Sequence, residues 1–164
     1  MDFDALFHRL YPSLFRYLNR LTGDIDVAED IAQEAFVRLL AQDLPEAEAR
    51  PWLFAVATNL VRDRARKQER RQRLLKAEPV LPAPSPRPDE VVERGEQVER
   101  VRAALGRLAP RDQQLLLMRE EGFTYEEMAR TVGVAPSSVG TLIARALRRF
   151  AGAYAQEAGN DPRE

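Results

Sequence analysis

The sequence lacks cysteine and contains a single histidine, His8. Without cysteine, the 164-residue chain has no disulfide, no thiol nucleophile and no cysteine-ligated metal site. One histidine leaves too few ligands or bases for a histidine-built metal centre or catalytic set. We therefore expect a protein that is not an enzyme and that needs no metal and no cofactor.

Long apolar runs are also absent. No segment approaches the roughly 20 apolar residues that span a bilayer, and the opening residues Met1 to Asp4 carry acidic rather than basic charge, unlike a signal peptide. A hydrophobic fraction of 45% is nevertheless normal for a folded protein. These features, with the lack of cysteine, predict a cytoplasmic protein without direct membrane insertion.

The net charge of -1 conceals two patches of opposite sign. Residues 24–48 contain eight acidic residues and one arginine, whereas residues 62–76 contain eight cations and two acidic residues. A polyanion responds to a local patch rather than to the total charge. The basic patch indicates nucleic acid, and the acidic patch indicates a different partner.

Apolar residues recur every three or four positions along most of the chain, and no segment alternates with the period of a strand. The spacing therefore predicts an all-α protein. Pro12 predicts a break or kink near Tyr11 in the first helix. The second helix should open at a capping box of Asp26 and Glu29 and run to about Ala41, and the third should begin at Pro51.

Five prolines fall between Glu78 and Asp89, which predicts an extended linker rather than a helix. The sequence thus divides into two small helical domains, at residues 1–76 and 95–155, joined by a Pro-rich linker at 77–94. Residues 156–164 form a tail.

The segment from Gly122 to Phe150 has the pattern of a helix-turn-helix. Thr124 and Glu127 form a capping box, and Gly133 lies in the turn. Pro136 suits the first position of the second helix, where a missing N–H costs nothing. In the first helix, the residues that repeat at helical spacing are Tyr125, Met128, Ala129 and Val132.

The second helix of this motif divides into two faces. Its predicted buried stripe is Val139, Ile143, Ala146, Leu147 and Phe150. The outward residues are Ser137, Ser138, Thr141, Arg145 and Arg148. Hydroxyls near the N-terminal end and arginines further along suit a helix that enters a DNA major groove.

The acidic second helix has an apolar face for the core. Its opposite face consists of Val37 surrounded by Asp26, Glu29, Asp30, Gln33 and Glu34. Two interpretations are open: a solvated acidic face, or a protein-docking face in which charges set the register around one apolar contact.

The third helix also has an apolar face, opposite a polar face of Asn59, Arg62, Asp63, Arg66 and Arg70. Arginine pairs with phosphates, and asparagine can read a base edge. A merely solvated face is the alternative, but the neighbouring helix-turn-helix favours DNA binding.

Three segments resemble a known family. The stretch Asp26 to Leu39, DVAEDIAQEAFVRL, resembles region 2.2 of the extracytoplasmic-function (ECF) sigma factors of bacterial RNA polymerase, a subfamily of the sigma-70 family. The stretch Pro51 to Arg66 resembles their regions 2.3 and 2.4, and the stretch Leu108 to Ala129 resembles region 4. The resemblance covers nearly the whole chain in family order.

The resemblance implies a promoter-specificity subunit that initiates transcription. Asp30, Gln33, Glu34 and Val37 would contact the β′ clamp helices of core RNA polymerase. Asn59, Arg62, Asp63 and Arg66 would melt the promoter −10 element and capture a base. Ser137, Ser138, Thr141, Arg145 and Arg148 would read the −35 element. The family also implies the β flap and an anti-sigma factor as partners.

One departure from the family concerns Gly140 and Leu142, which stand where many members carry basic residues. Gly140 allows either a close backbone approach to DNA or tight helix packing.

A helix-turn-helix regulator docking a different partner is the alternative function. A small enzyme using Glu126 and Glu127 is disfavoured, because adjacent helical residues point about 100° apart and cannot flank one substrate.

Overall fold

A computed structural model describes residues 2–75 and 92–159 of the chain. Within those ranges the chain forms only α-helices, which confirms the all-α prediction. The helices are α1 (Phe3–Thr22), α2 (Ile25–Leu40), α3 (Glu46–Leu75), α4 (Val92–Gly106), α5 (Pro110–Glu120), α6 (Tyr125–Val132) and α7 (Pro136–Gly159). Most of the predicted linker lies outside the described residues, and helix α4 already begins within its last three positions.

The predicted helix-turn-helix is present as α6 and α7. Thr124 accepts a hydrogen bond from the Glu127 N–H, and the Glu127 carboxylate accepts one from the Thr124 N–H, each at 3.1 Å. This capping box satisfies two donors at the start of α6. Gly133 ends α6 at a φ of 77°, a left-handed conformation that glycine adopts without a Cβ clash. Pro136 begins α7 as expected.

Two predicted helix starts were wrong, and the first helix has no break near Tyr11. Helix α1 continues through Pro12, which lies on the exposed side, so water can bind the carbonyl of His8 that the proline leaves without its helical donor. Helix α3 starts at Glu46 and includes Pro51, at the cost of one helical hydrogen bond. Helix α2 is capped by Asp24 rather than by Asp26, because the Asp24 carboxylate accepts from the Asp26 and Val27 amides.

The N-terminal half of the protein, α1 to α3, packs around the apolar faces of its helices. Leu14, Leu18 and Phe54 are fully buried there. Tyr17 is also buried, and its hydroxyl shares a 2.7 Å hydrogen bond with Thr58. Burial raises the pKa of the Tyr17 phenol well above its usual value, so the group stays protonated. The polar pair therefore sits in the core without an unpaired hydroxyl.

The C-terminal half, α4 to α7, shares that core instead of standing apart. Phe123, in the turn between α5 and α6, packs edge-on against Phe54 of α3, with ring centroids 4.6 Å apart. The Arg50 guanidinium lies 4.2 Å from the centroid of the Phe123 ring. Arg50 also donates to the Gly122 carbonyl at 2.9 Å and to the Glu127 carboxylate at 3.1 Å. Apolar, cation–π and charged contacts thus join the two halves at one point.

A second contact between the halves centres on Glu121, whose side chain is only 4% exposed. Arg16 donates two hydrogen bonds to its carboxylate, at 3.1 and 3.0 Å, and Arg20 donates a third at 3.3 Å. Ser13 adds a fourth at 2.9 Å. The hydrogen bond and the charge of Glu121 raise the pKa of Arg16 above its usual value, so this guanidinium stays charged at physiological pH.

Candidate polymerase and nucleic-acid interfaces

The docking face comprises Asp30, Gln33, Glu34 and Val37, and all four residues are exposed on α2. Val37 is 62% exposed, although it is an apolar residue in a helix whose other side is core. Arg38 donates to Glu34 at 3.1 Å, and Arg64 of α3 lies 3.7 Å from Asp30. These exposed pairs are weak enough for a partner to replace them. The face can therefore offer carboxylates and one apolar contact to another protein.

The arginine face of α3 comprises Asn59, Arg62, Asp63 and Arg66. Asn59, Asp63 and Arg66 are exposed, and Arg66 lies 3.9 Å from Asp63 within the same helix. Arg62 differs, because it is half-buried and donates to the Gln114 side-chain oxygen of α5 at 3.2 Å. Three of the four residues are thus accessible in this arrangement, while Arg62 is bound by the other half.

The reading face of α7 comprises Ser137, Ser138, Thr141, Arg145 and Arg148. All five side chains are exposed. The opposite side of the helix is held by Val139, Ile143 and Ala146, which are buried. The reading face can accordingly meet a ligand without disturbing the core.

One C-terminal residue differs from the sequence-based expectation, and a second makes a contact for which the sequence contains no signal. Leu147 was predicted to be buried but is 41% exposed. Arg149, which follows the reading face, donates to the buried Asp112 carboxylate of α5 at 2.7 Å. Asp112 lies in the first turn of α5. Arg149 therefore has a structural role, joining α7 to the start of α5.

Leu147 is exposed because it lines a groove of about 790 Å³ that sequence reasoning missed. Helices α4, α5 and α7 supply its apolar wall, which includes Val98, Val101, Leu105, Leu116, Leu117, Leu147 and Phe150. Asn19 and Arg20 of α1 also line the groove, and the Asn19 side-chain oxygen is buried without a hydrogen-bond partner among the residues that the structure describes. An apolar groove of this size can hold an apolar helix or loop of a partner.

Comparison with known proteins identifies the family. Residues 6–71 match "Sigma-70 region 2" and residues 98–150 match "Sigma-70, region 4". The chain is 31% identical to the "ECF RNA polymerase sigma factor EcfG" of Rhodopseudomonas palustris, over 85% of this chain and 77% of that protein. This chain belongs to the ECF sigma factors. It is a promoter-specificity factor for transcription initiation, and the family consists of initiation factors rather than enzymes.

Further relatives agree with this assignment. The "RNA polymerase sigma factor YlaC" of Bacillus subtilis is 29% identical over 87% of this sigma factor and 86% of its own length. The "ECF RNA polymerase sigma factor SigL" of Mycobacterium tuberculosis is 31% identical, with 88% and 86% covered. The matched regions contain the docking face, the arginine face and the reading face.

A solved structure has the same fold as this sigma factor. It is the sigma factor RpoE of Bartonella quintana in complex with the anti-sigma factor NepR. The TM-score is 0.66 at 21% identity, and 98% of both chains is covered. In the described part of our sigma factor, no helix is long and apolar enough to cross a membrane.

One residue of the helical repeat in the first helix of the motif is exposed. Tyr125 repeats at helical spacing with Met128 and Ala129, which are buried, yet Tyr125 itself is 51% exposed. Tyr125 is the first residue of α6 and therefore lies at the end of the helix. Periodicity alone gives no signal for this exposure.

Proposed function

We propose that this sigma factor binds core RNA polymerase through the docking face, opens the −10 element through the arginine face and binds the −35 element through the reading face. The observation that carries the proposal is that the residues of each face, apart from the half-buried Arg62, lie on the exposed side of a helix whose other side is core. Such faces can bind partners without refolding the protein.

The docking face suits the β′ clamp helices, a helical coiled coil of the polymerase. Val37 supplies an exposed apolar centre, and the surrounding carboxylates provide steering and register.

The arginine and reading faces suit DNA for different reasons. Arginines pair with phosphates, whereas Asn59 can bind the edge of an unstacked base, which offsets part of the few kcal/mol that unstacking costs.

The groove is our candidate site for the β flap. Its wall is apolar, and Val98 and Leu147 are 48% and 41% exposed, which is costly unless a partner covers them. Because Asn19 and Arg20 of the N-terminal half line the same groove, separation of the two halves would widen it.

We further propose that the two halves separate when the holoenzyme engages a promoter. The −35 and −10 elements lie about 25 base pairs apart, or ~85 Å of duplex at ~34 Å per turn. In the free protein, Phe54 of α3 touches Phe123 in the turn before α6, so the two DNA-binding halves share one core, and a compact chain of this length has a radius of gyration of only ~15 Å. One molecule cannot span both elements in this closed arrangement.

The proposal includes an anti-sigma factor that stabilises the closed arrangement. The solved relative was crystallised with its anti-sigma factor, and the likeness extends over both halves of that chain. A partner that binds both halves at once would oppose their separation.

The first test of the proposal is run-off transcription with core polymerase that lacks other sigma factors. We expect a discrete transcript that depends on this protein.

Replacing Asp30 and Gln33 together by alanine should weaken core binding about tenfold in a titration, because two polar contacts are lost. The Glu46→Ala variant, which changes another exposed acidic residue outside the docking face, serves as the control. Unchanged core affinity in the double variant would refute the docking assignment.

A second test addresses melting. Asn59→Ala should reduce permanganate reactivity of the −10 element by about tenfold while leaving closed-complex binding within about twofold, because the base contact forms only after unstacking. Asn59 is exposed and outside the core, so the variant should fold normally. Equal losses in melting and in closed-complex binding would argue against a role in base capture.

A further inference from the structure

An exposed aromatic residue stands beside the reading face. Tyr125 begins α6, the first helix of the helix-turn-helix, and half of its side chain is open to solvent. Among the described residues, no side chain hydrogen-bonds its hydroxyl. The phenol is thus an available donor on the same domain surface as the reading face.

The ring of Tyr125 lies against Gly140 of α7. A Cβ atom built on Gly140 would stand 3.6 Å from the ring atom Cε2, which is ordinary van der Waals contact. On a helical wheel Gly140 lies about 60° from Ser137, at the flank of the reading face. The tyrosine therefore covers a position where α7 has no side chain of its own. Tight packing does not require the glycine, since an alanine methyl group would fit.

In helix-turn-helix proteins the second helix enters the major groove while the first crosses the sugar-phosphate backbone. Tyrosine hydroxyls are among the groups that bind phosphate oxygens. We propose that the Tyr125 hydroxyl donates a hydrogen bond to a phosphate bordering the major groove at the −35 element. This contact rests on the proposed role of the reading face. The contact fixes the orientation of α7 on the DNA beside Gly140, and it does not itself distinguish one base from another.

The test is promoter binding by the holoenzyme containing Tyr125→Phe, which removes only the hydroxyl. We expect affinity to fall about three- to tenfold, the effect of one hydrogen bond to a charged acceptor. The slope of affinity against salt should not change, because no charge is lost, whereas Arg148→Ala should reduce that slope by about one. Tyr154→Phe removes the same atom further along α7 and should bind as the wild type.

Methylphosphonate substitution of single phosphates around the −35 element identifies the acceptor. One position should weaken the wild type and leave Tyr125→Phe unaffected, which a purely structural role would not produce. If Arg148→Ala weakens binding while Tyr125→Phe binds as tightly as the wild type, the tyrosine contact is overturned and the reading face stands. If scrambling the −35 sequence leaves wild-type binding unchanged, the reading-face assignment fails and this inference fails with it.

Discussion

Replacing Phe54 by alanine is expected to lower the free energy of unfolding by about 3–5 kcal/mol. The Phe54 ring is fully buried, and it packs against Tyr17 at 5.0 Å and against Phe123 at 4.6 Å between centroids. Removing it would open a cavity where α1, α3 and the turn before α6 meet. Neither half can fill that cavity by itself, so we expect relaxation of the surrounding side chains to recover little of the lost free energy of unfolding.

The measurement is chemical denaturation, with a melting temperature about 10 °C below the wild type as a second readout. Leu40→Ala is the matched control, because Leu40 is a large apolar residue that is 62% exposed. It should change the unfolding free energy by less than ~0.5 kcal/mol. A loss below ~1 kcal/mol for Phe54→Ala would mean that the shared core contributes little to stability.

Reversing the charge of Glu121 is expected to separate the two halves of the free protein. In Glu121→Lys an ammonium group would replace the buried carboxylate that Ser13, Arg16 and Arg20 bind. Like charges would then meet at a site shielded from water, which is strongly unfavourable. The three donors belong to α1, whereas Glu121 follows α5, so the repulsion acts between the halves.

The absence of cysteine makes this separation easy to measure. Cysteines introduced at the exposed positions Gln42 and Ala151 would be the only thiols, and a dye pair attached there would report the distance between the halves. Energy transfer should fall in Glu121→Lys. Small-angle scattering should show a radius of gyration several ångströms above the ~15 Å of a compact chain of this length.

The control for Glu121→Lys is Glu46→Lys, which reverses an exposed pair with Arg9 inside the N-terminal half. Both residues of that pair are more than half exposed, so solvent screens the change and energy transfer should stay at the wild-type value. If Glu121→Lys also keeps the wild-type distance and radius, the Glu121 cluster does not hold the halves together.

The sequence by itself determined the all-α class and the exposed sides of the three helices that contain the docking face, the arginine face and the reading face. Amphipathic spacing fixes which side of a helix is apolar, and the exposed side follows from it, as on α7, where Val139 is buried and Thr141 is exposed. The capping box at Thr124 and the turn at Gly133 are equally local, because their hydrogen bonds join residues a few positions apart. The resemblance to the ECF sigma factors likewise rests on short contiguous motifs.

Proline was a weaker guide than these local signals. Pro12 predicted a break or kink and Pro51 predicted a helix start, yet both prolines lie inside helices. Each costs about 3 kcal/mol in an isolated helix interior. Burial of the apolar residues on either side, such as Leu10 and Leu14 around Pro12, offsets that cost once the helix packs.

Only the tertiary structure decided how the two halves meet. Four features depend on residues that lie far apart in sequence or on different helices. They are the burial of Glu121, the hydrogen bond of Arg62 to Gln114, the apolar groove, and the exposed ring of Tyr125 beside Gly140. Periodicity determines which side of a helix is buried, but it does not determine which other helix covers that side. The choice of neighbour depends on complementary surfaces contributed by the whole chain, and local spacing does not encode it.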